Sequence, residues 1–518
     1  MRQIRKIILH NFKRFRDLEL DVFSDLNIFI GDNESGKSSI LQAIDIVSHG
    51  SRHRVETIGL DRLFNVEAIS QFMSSNRDMS NIPEMFVELY LENDTDPRLN
   101  GNNNSKHLKA FGLRMKCMCD SDYSLQIAQI LKSESPVFPL EFFAITFETF
   151  AGVPYNGYTK WLKTISIDNS QIGSPYAMRE YVHNIYEGKV KEAERALNRY
   201  AYHTVKKNFQ KENLEKYNKG IVPYKFCVKD TSDDNVETSI SLEENEIPIE
   251  NKGTGMQCFI KTELALNSAV DDIDVVLIEE PETHLSYMNM QKLIEIINGS
   301  HSRQLFISTH SDLISTRLGL KKCILLNSSS DTYAKLTGLT SQTAKFFMKA
   351  PDNNMLQFVL SNKVILVEGD AEFILMEAMY KQTTGKELAK SGIGVIAVDG
   401  KCFKRYLEIA NIIGIKVAVI TDNDHDVDAN IIENYRNYVT NNTKVFSDND
   451  NERNTFEVCI YKDNKEELEK EFSKLRTNTT LEFMLANKAE AAFRILEDHA
   501  DDINVPQYIQ DAIKWIED

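Results

Sequence analysis

Residues 31–38 read Gly31-Asp32-Asn33-Glu34-Ser35-Gly36-Lys37-Ser38, a glycine and four residues followed by Gly-Lys-Ser. In such a loop the glycines let backbone N–H groups wrap phosphate oxygens. The lysine reaches the β and γ phosphates, and the hydroxyl ligates Mg²⁺. Gly31, Asn33, Gly36, Lys37, Ser38 and Ser39 are therefore the expected nucleotide contacts, with Ser38 on the metal. A phosphate loop alone hydrolyses nothing, so a second half is required. The apolar run Val275-Val276-Leu277-Ile278 ends in Glu279 and Glu280, at the strand end where doubly wound sheets bind ligands. Glu279 is expected in the magnesium shell and Glu280 on the attacking water. His310 closes the next apolar run, where an imidazole reaches a γ-phosphate.

A second set of carboxylates lies further along. Glu368 ends the run Val364–Val367, and Glu372 follows four residues later, on the same side if a helix begins there. Asp422 and Asp424 follow Val417–Thr421, and alternate residues of a strand share a face. If the two strands are neighbours in a parallel sheet, four carboxylates share one cleft. Such anions repel one another unless divalent cations neutralise them, and oxygen-only ligands favour Mg²⁺ or Mn²⁺ over zinc. Two such ions about 4 Å apart activate water and stabilise the leaving oxygen of a phosphodiester.

The elements that must position these groups are legible as alternation and periodicity. Strand-like runs (IRKIILHNF, LELDVF, LNIFIGD) precede a helix from Ser38, and FVELYLEND alternates as a strand. Asp94–His107, rich in Asn and Asp, reads as an exposed loop. Apolar Met178, Tyr181, Val182 and Ile185 have helical spacing. That helical block either packs on the same core or forms an oligomerisation arm. After a polar stretch, strand–helix alternation restarts as a smaller parallel-sheet domain. The expected organisation is an ATPase domain in two parts, 1–164 and 221–330, split by a helical insertion at 165–220 expected to dimerise. A linker at 331–356 and a second α/β domain at 357–518 follow.

Composition bounds the function class. Sixty Lys and Arg against 77 Asp and Glu give −17, which excludes a uniformly cationic coat but not a local basic groove. Arg2, Arg5, Lys6, Lys13, Arg14 and Arg16 are either nucleic-acid phosphate contacts or solvated strand edges. No apolar run approaches the ~18 residues of a membrane span, and the basic start lacks the apolar core of a signal peptide. The seven cysteines are scattered and Cys117-x-Cys119 has no second pair, so neither a disulfide scaffold nor a zinc site is expected. The cytoplasm is the expected compartment.

The motifs NFKRF, LNIFIGDNESGKSSILQAI, GTGMQ at 253–257, IEEPETHL and ISTH together resemble the ABC-type ATPases of the SMC and RecF kind. That resemblance implies ATP as the nucleotide. It also implies that Gly253 and Gly255 form a signature loop completing the site of a partner head, hence a homodimer or higher homo-oligomer. Glu279 departs from the Asp usual in that family, and Gln71 is the candidate for its Q-loop. The later carboxylates, with GVIAVDGKCF at 394–403, resemble a Toprim domain. An ATPase head fused to a Toprim domain is the architecture of the OLD (overcoming lysogenization defect) nucleases, and the resemblance spans essentially the whole chain. It implies an α/β fold, an ABC-type ATPase head with a helical insertion followed by a Rossmann-like Toprim domain. It also implies an ATP-regulated, metal-dependent endonuclease acting on DNA in phage defence, with two divalent ions. Glu482 would be an added metal ligand and Lys488 would stabilise charge on the scissile phosphate. A partner protein or nucleic-acid cofactor is a further implied partner. Asp399 is another candidate, or a cap of the next helix. An ATP-dependent DNA clamp or sensor whose Toprim domain only recruits an effector is the alternative reading. Topoisomerase or primase chemistry is a third, for which the 19 scattered tyrosines and the absent zinc module offer no support.

Overall fold

Short runs of β-branched and aromatic residues, broken by Gly, Asn and Asp, form the strands of two compact units. The first comprises Met1–His310 and Leu326–Tyr333, and the second Ser311–Leu325 and Ala334–Asp518. The computed structural model describes residues 1–518 except 93, 134–135, 169–181, 184, 187–188, 219–220, 222–223, 230–235, 267–272, 301–302, 329, 351–353, 399, 401 and 473–478. Asp399, Met178 and Tyr181 thus lie outside the described residues, while Val182 and Ile185 are buried.

In the first unit, β1 (Ile4–Phe12) pairs antiparallel with β2 (Phe15–Asp21) and β4 (Met85–Leu91). Strand β5 (Ala110–Cys119) pairs antiparallel with β4 and β6 (Phe143–Thr149). Every residue of β4 is buried, although its alternation predicts one wet face. The reason lies in the loop that the sequence marks as exposed. Ser105 donates from its backbone N–H and its hydroxyl to Glu88, at 2.7 and 2.8 Å, and Arg114 pairs with the same carboxylate at 3.2 Å. The loop therefore covers the outer face of β4, and Glu88 is buried as a paired, hydrogen-bonded anion.

The second sheet of this unit carries the nucleotide motifs. Strands β3 (Leu26–Ile30), β9 (Gln304–Ser308), β8 (Val275–Glu279) and β7 (Thr164–Asp168) lie side by side, all parallel. Such strands are covered on both faces and read as continuous apolar runs. Helix α1 (Lys37–His49) follows β3, α2 (Thr254–Leu266) precedes β8, and α3 (Tyr287–Gly299) connects β8 to β9. Within the expected insertion, β7 belongs to this sheet, and helix Glu192–Phe209 has no buried residue.

The second unit holds a parallel sheet in the order β11 (Ile393–Ala397), β10 (Lys363–Val367), β12 (Lys416–Ile420), β13 (Thr443–Phe446). Helices α4 (Asp370–Thr384), α8 (Lys488–His499) and α9 (Gln507–Glu517) share one apolar core with it. Two further helices, α6 (Phe456–Asp463) and α7 (Thr480–Ala486), pack into the same core, and α5 (Phe403–Ile413) buries Tyr406. Where the sequence predicts a linker, helices Ser341–Lys349 and Met355–Leu360 bring Phe347 and Phe358 edge-on to the Tyr406 ring, at 5.2 and 5.1 Å. Their few apolar residues, diluted by polar ones, hide this packing from a composition reading. No described helix is long and apolar enough to cross a membrane.

Candidate functional site

Two sites, one in each unit, hold the expected chemistry. In the first, Gly36 caps α1 at φ 94°, a left-handed conformation that glycine takes without strain. A Cβ there would lie 2.3 Å from the Phe15 ring, so only glycine fits. The turn buries Lys37, whose ammonium donates to the carbonyls of Gly31 and Asp32 at 2.7 and 2.9 Å. Burial pushes its pKa down, against the pull of Glu280, Asp32, Glu282 and Glu279.

Because β3, β9 and β8 are adjacent and parallel, their C-terminal ends bring the other groups to this loop. Ser38 hydrogen-bonds Glu279, whose pKa is raised by burial, with Asp168 and Glu280 adding to the effect. Asp168 stands opposite Glu279 in the β7–β8 register. Glu280 has φ 44°, an uncommon conformation for a non-glycine residue, and its N–H donates to Ser308 O at 3.0 Å. His310 is exposed, and its N–H donates to Glu282 at 2.6 Å. Burial and Lys37 lower its pKa. Asn33, Gly36, Lys37, Ser38, Ser39, Glu280 and His310 line one cleft of about 1030 Å³.

Gly253 and Gly255 are not among the lining residues. They stand at the start of α2, where a Cβ on Gly255 would lie 2.1 Å from His284 O. Lys13, Arg14 and Arg16 line the nucleotide cleft, and Arg14 also donates to Ser35 O and Asn327 O at 2.6 and 2.7 Å. Arg16 donates to Gln71, the Q-loop candidate, at 2.9 Å. Arg2 is tied to Asp94, and Lys6 to Glu19, each at 2.5 Å. Of the six basic residues read as either nucleic-acid contacts or solvated strand edges, five are thus engaged inside the first unit, while Arg5 is exposed.

In the second unit β10 and β12 are direct neighbours, as the strand-end argument requires. Glu368 accepts from the Thr421 hydroxyl and, at 3.0 Å, from Asp422 N–H. Asp422 accepts from Phe456 N–H at 2.7 Å, at the start of α6. Glu372 is buried in the first turn of α4. Burial, then Asp422, Glu457 and Glu368, push its pKa up to about 8. Burial, then Glu368 and Glu457, push Asp422 up to about 7.

Glu457, which the sequence reading passed over, is a member of this cluster. It is buried, pairs with Lys488 at 3.0 Å, and leaves Oε2 without a hydrogen-bond partner among the described residues. The available signal was a lone carboxylate inside the buried run Phe456–Ile460. Burial works against the Lys488 charge, but Glu457, Asp422 and Glu372 hold its pKa above the ordinary value.

Two expected ligands stand elsewhere. Strand β12 ends at Ile420, so alternation does not carry to Asp424, which is exposed at φ 49°. Glu482 is exposed and closes a capping box with Thr479 at the start of α7, accepting the Thr479 N–H at 2.9 Å. Its carboxylate therefore serves the helix end. Among the described residues no three His, Cys, Asp or Glu side chains converge closely enough to hold an ion in this arrangement. The donor set nevertheless fits a divalent cation. It is made of oxygens, burial and mutual repulsion raise the pKa of two of its carboxyls, which a cation would relieve, and Glu457 Oε2 is unmet.

The AAA ATPase domain family matches residues 2–148 and 156–314, more than half of the chain, and the overcoming lysogenization defect protein-like TOPRIM domain matches residues 359–424. Over 162 residues the chain is 30% identical to the Old nuclease of Escherichia phage P2, a match spanning 29% of this chain and 28% of that protein. The C-terminal region of the Xanthomonas campestris pv. campestris OLD protein is 22% identical, with 30% of this chain and 94% of that one covered, at a TM-score of 0.23. The SMC head domain from Thermotoga maritima is 12% identical, with 64% and 97% covered, at a TM-score of 0.32.

Proposed function

We propose, because this chain belongs to the overcoming lysogenization defect (OLD) family of ATPase–Toprim proteins, that it is an ATP-regulated, divalent-metal-dependent DNA endonuclease working in defence against phage. The observation that carries this reading is the gathering of Glu368, Glu372, Asp422 and Glu457 around the C-terminal ends of two parallel strands, with Lys488 beside them. These carboxylates would hold Mg²⁺ or Mn²⁺, which when bound supplies an activated water and a stabilised leaving oxygen. The chain's own part is orientation. Thr421 and the Asp422 N–H fix Glu368, and the first N–H of α6 fixes Asp422. Lys488, held at the cluster by Glu457, offers positive charge to the scissile phosphate.

The first unit supplies regulation. Gly36, Lys37 and Ser38 would receive the phosphates of ATP, Ser38 and its hydrogen-bonded neighbour Glu279 would hold the accompanying metal, and Glu280 would polarise the attacking water. Gly253 and Gly255, away from this cleft in their own chain, fit the role of contacting the nucleotide of a second copy, so ATP binding would associate two heads. The test is cleavage of supercoiled plasmid by wild type and Glu368→Ala, with Mg²⁺ or Mn²⁺ and with or without ATP. Metal-dependent cutting by wild type alone is the expected result. Equal cutting by both proteins would remove the second-unit site from the reaction.

A further inference from the structure

A DNA strand is itself a polyanion, so a cluster of carboxylates needs a cation nearby that can seat it. Lys488, assigned to the scissile phosphate above, shares its charge with Glu457, so a second cation is needed for the flanking strand. Among the described residues of the second unit, three other lysines stand over aromatic rings. Lys404 lies 5.8 Å from the Tyr435 ring centre and 5.9 Å from that of Tyr438, whereas Lys416 and Lys444 lie 4.8 and 5.1 Å from Trp515.

Topology separates these three. Strand β12 begins at Lys416 and Asp422 lies beyond its far end, so Lys416 marks the edge opposite the carboxylates. Lys444 is in register with Ala418, one residue into the described β12–β13 pairing. Lys404 is different, because it sits in the first turn of α5, immediately after β11. That strand runs parallel to β10 with Ala397 opposite Val367, so the turn after it emerges at the same edge as Glu368. Gly400 N–H donates to Glu368 O at 3.0 Å, which ties the turn to the carboxylate residue. Tyr435 is buried, and its hydroxyl is pushed up to about 12 by burial first and by the Glu368 charge second. Lys404 therefore stands over a ring that lies within reach of the cluster.

Among the described residues Lys404 has no carboxylate at ion-pair distance. Its ammonium is propped by π faces, which attract a cation without cancelling its charge. In a chain with a net charge of −17, that leaves a positive charge available at the edge where a phosphodiester must enter. We propose that Lys404 seats a backbone phosphate of the DNA strand beside the Glu368 cluster, with Tyr435 and Tyr438 aiming its ammonium. The inference rests on the DNA-cleavage reading above and makes Lys404 a positioning residue.

Steady-state cleavage of a duplex oligonucleotide in Mg²⁺ across a range of KCl, with the full chain, tests it. Loss of one charged contact to phosphate predicts a KM for Lys404→Ala raised roughly tenfold, with kcat nearly unchanged. The slope of log(kcat/KM) against log[salt] should become shallower by about 0.9, the share of one phosphate. Lys404→Arg should recover most of the affinity, because a guanidinium also stacks on rings and binds phosphate. If wild type cuts while Lys404→Ala keeps its KM and salt slope, or loses only kcat, the inference is overturned alone. A wild type that neither binds nor cuts DNA in any metal overturns the cleavage reading and this inference with it.

Discussion

The two clefts share a plan, with functional groups at the C-terminal ends of parallel strands, yet they balance charge in opposite ways. In the nucleotide cleft a buried lysine sits within the field of Glu279, Glu280 and Glu282, and Lys13 adds a second cation near Glu279. In the second unit three carboxylates and Asp422's neighbour Glu457 face a single lysine, and two of the carboxyls are pushed to about 7 and 8. The first site carries its own counter-charges. The second must take them from protons or from cations, so its behaviour should depend on pH and metal far more steeply.

The largest effects should separate the clefts outright. Lys37→Ala should abolish ATP turnover, and Glu368→Ala should abolish plasmid cutting while leaving ATPase activity within about twofold, because losses at preorganised charged groups commonly exceed 100-fold. Parallel ATPase and nuclease assays on both variants check this. Comparable cutting by Glu368→Ala and wild type would break the comparison at its root.

A smaller effect concerns how the acidic cleft is held. Asn423, buried between Asp422 and Asp424, donates to the carbonyls of Asp448 and Asp450 at 2.8 and 3.1 Å and accepts from His425 N–H at 3.0 Å. It pins the turn after β12 to the loop before α6. Asn423→Ala should leave carbonyls unmet and displace Asp422, lowering cutting roughly 10- to 100-fold by ~1–3 kcal/mol, with ATPase activity unchanged. Unaltered cutting would show that the turn is held by its other bonds.

The pH prediction follows from the raised carboxyls. Between the ordinary Glu value of 4.5 and about 8, the folded protein keeps a proton on Glu372 that the unfolded chain has released. Stability should therefore fall as pH rises through that window and level off above it. Glu372→Gln removes the ionisation and should stabilise the second unit at pH 8 by on the order of 2 kcal/mol in the absence of divalent ions. Hydrogen exchange at the β10 and β12 amides reports this locally. Mg²⁺ should protect the wild type at pH 8, chelation should reverse the gain, and the variant should respond less. Burial raises Glu279 at the end of β8 in the same direction, but Lys37 and Lys13 offset its charge, so the amides of β3 and β8 should show a weaker pH dependence, and an equal response there would dissolve the contrast between the clefts.

How much of this was legible depended on how local the signal is. The phosphate loop is contiguous, and its glycines, lysine and hydroxyl each answer a backbone or charge requirement, so Gly36, Lys37 and Ser38 read directly from their spacing. Glu368 and Asp422 were reachable because each ends an unbroken apolar run, which marks a buried parallel strand. Glu457 was not, because it enters from a helix whose approach depends on tertiary packing. The place of Lys13 and Arg14 is hidden from the sequence for a related reason. A basic run looks like a nucleic-acid surface until the fold turns it into the wall of the nucleotide cleft. The polar stretch before the second unit hid Phe347, which needs Tyr406, about sixty residues away, to become core.

The smallest effect decides how many carboxylates the acidic cleft uses. Glu482 has been assigned two jobs, metal ligand by resemblance and helix cap by geometry, and one substitution separates them. A capping box accepts Gln in place of Glu, because the amide oxygen can take the same backbone N–H. Glu482→Gln should therefore preserve α7 and leave cutting within about twofold if the side chain serves the Thr479 cap. A ligating carboxylate would lose its charge, and the Mg²⁺ concentration needed for half-maximal cutting would rise roughly tenfold or more. Thr479→Ala is the matching control. It loses the other half of the box at a cost of about 1 kcal/mol, so a drop in cutting shared by both variants would come from the helix end. A drop confined to Glu482→Gln would instead add a fifth carboxylate to the cluster and deepen the charge imbalance that separates it from the nucleotide cleft.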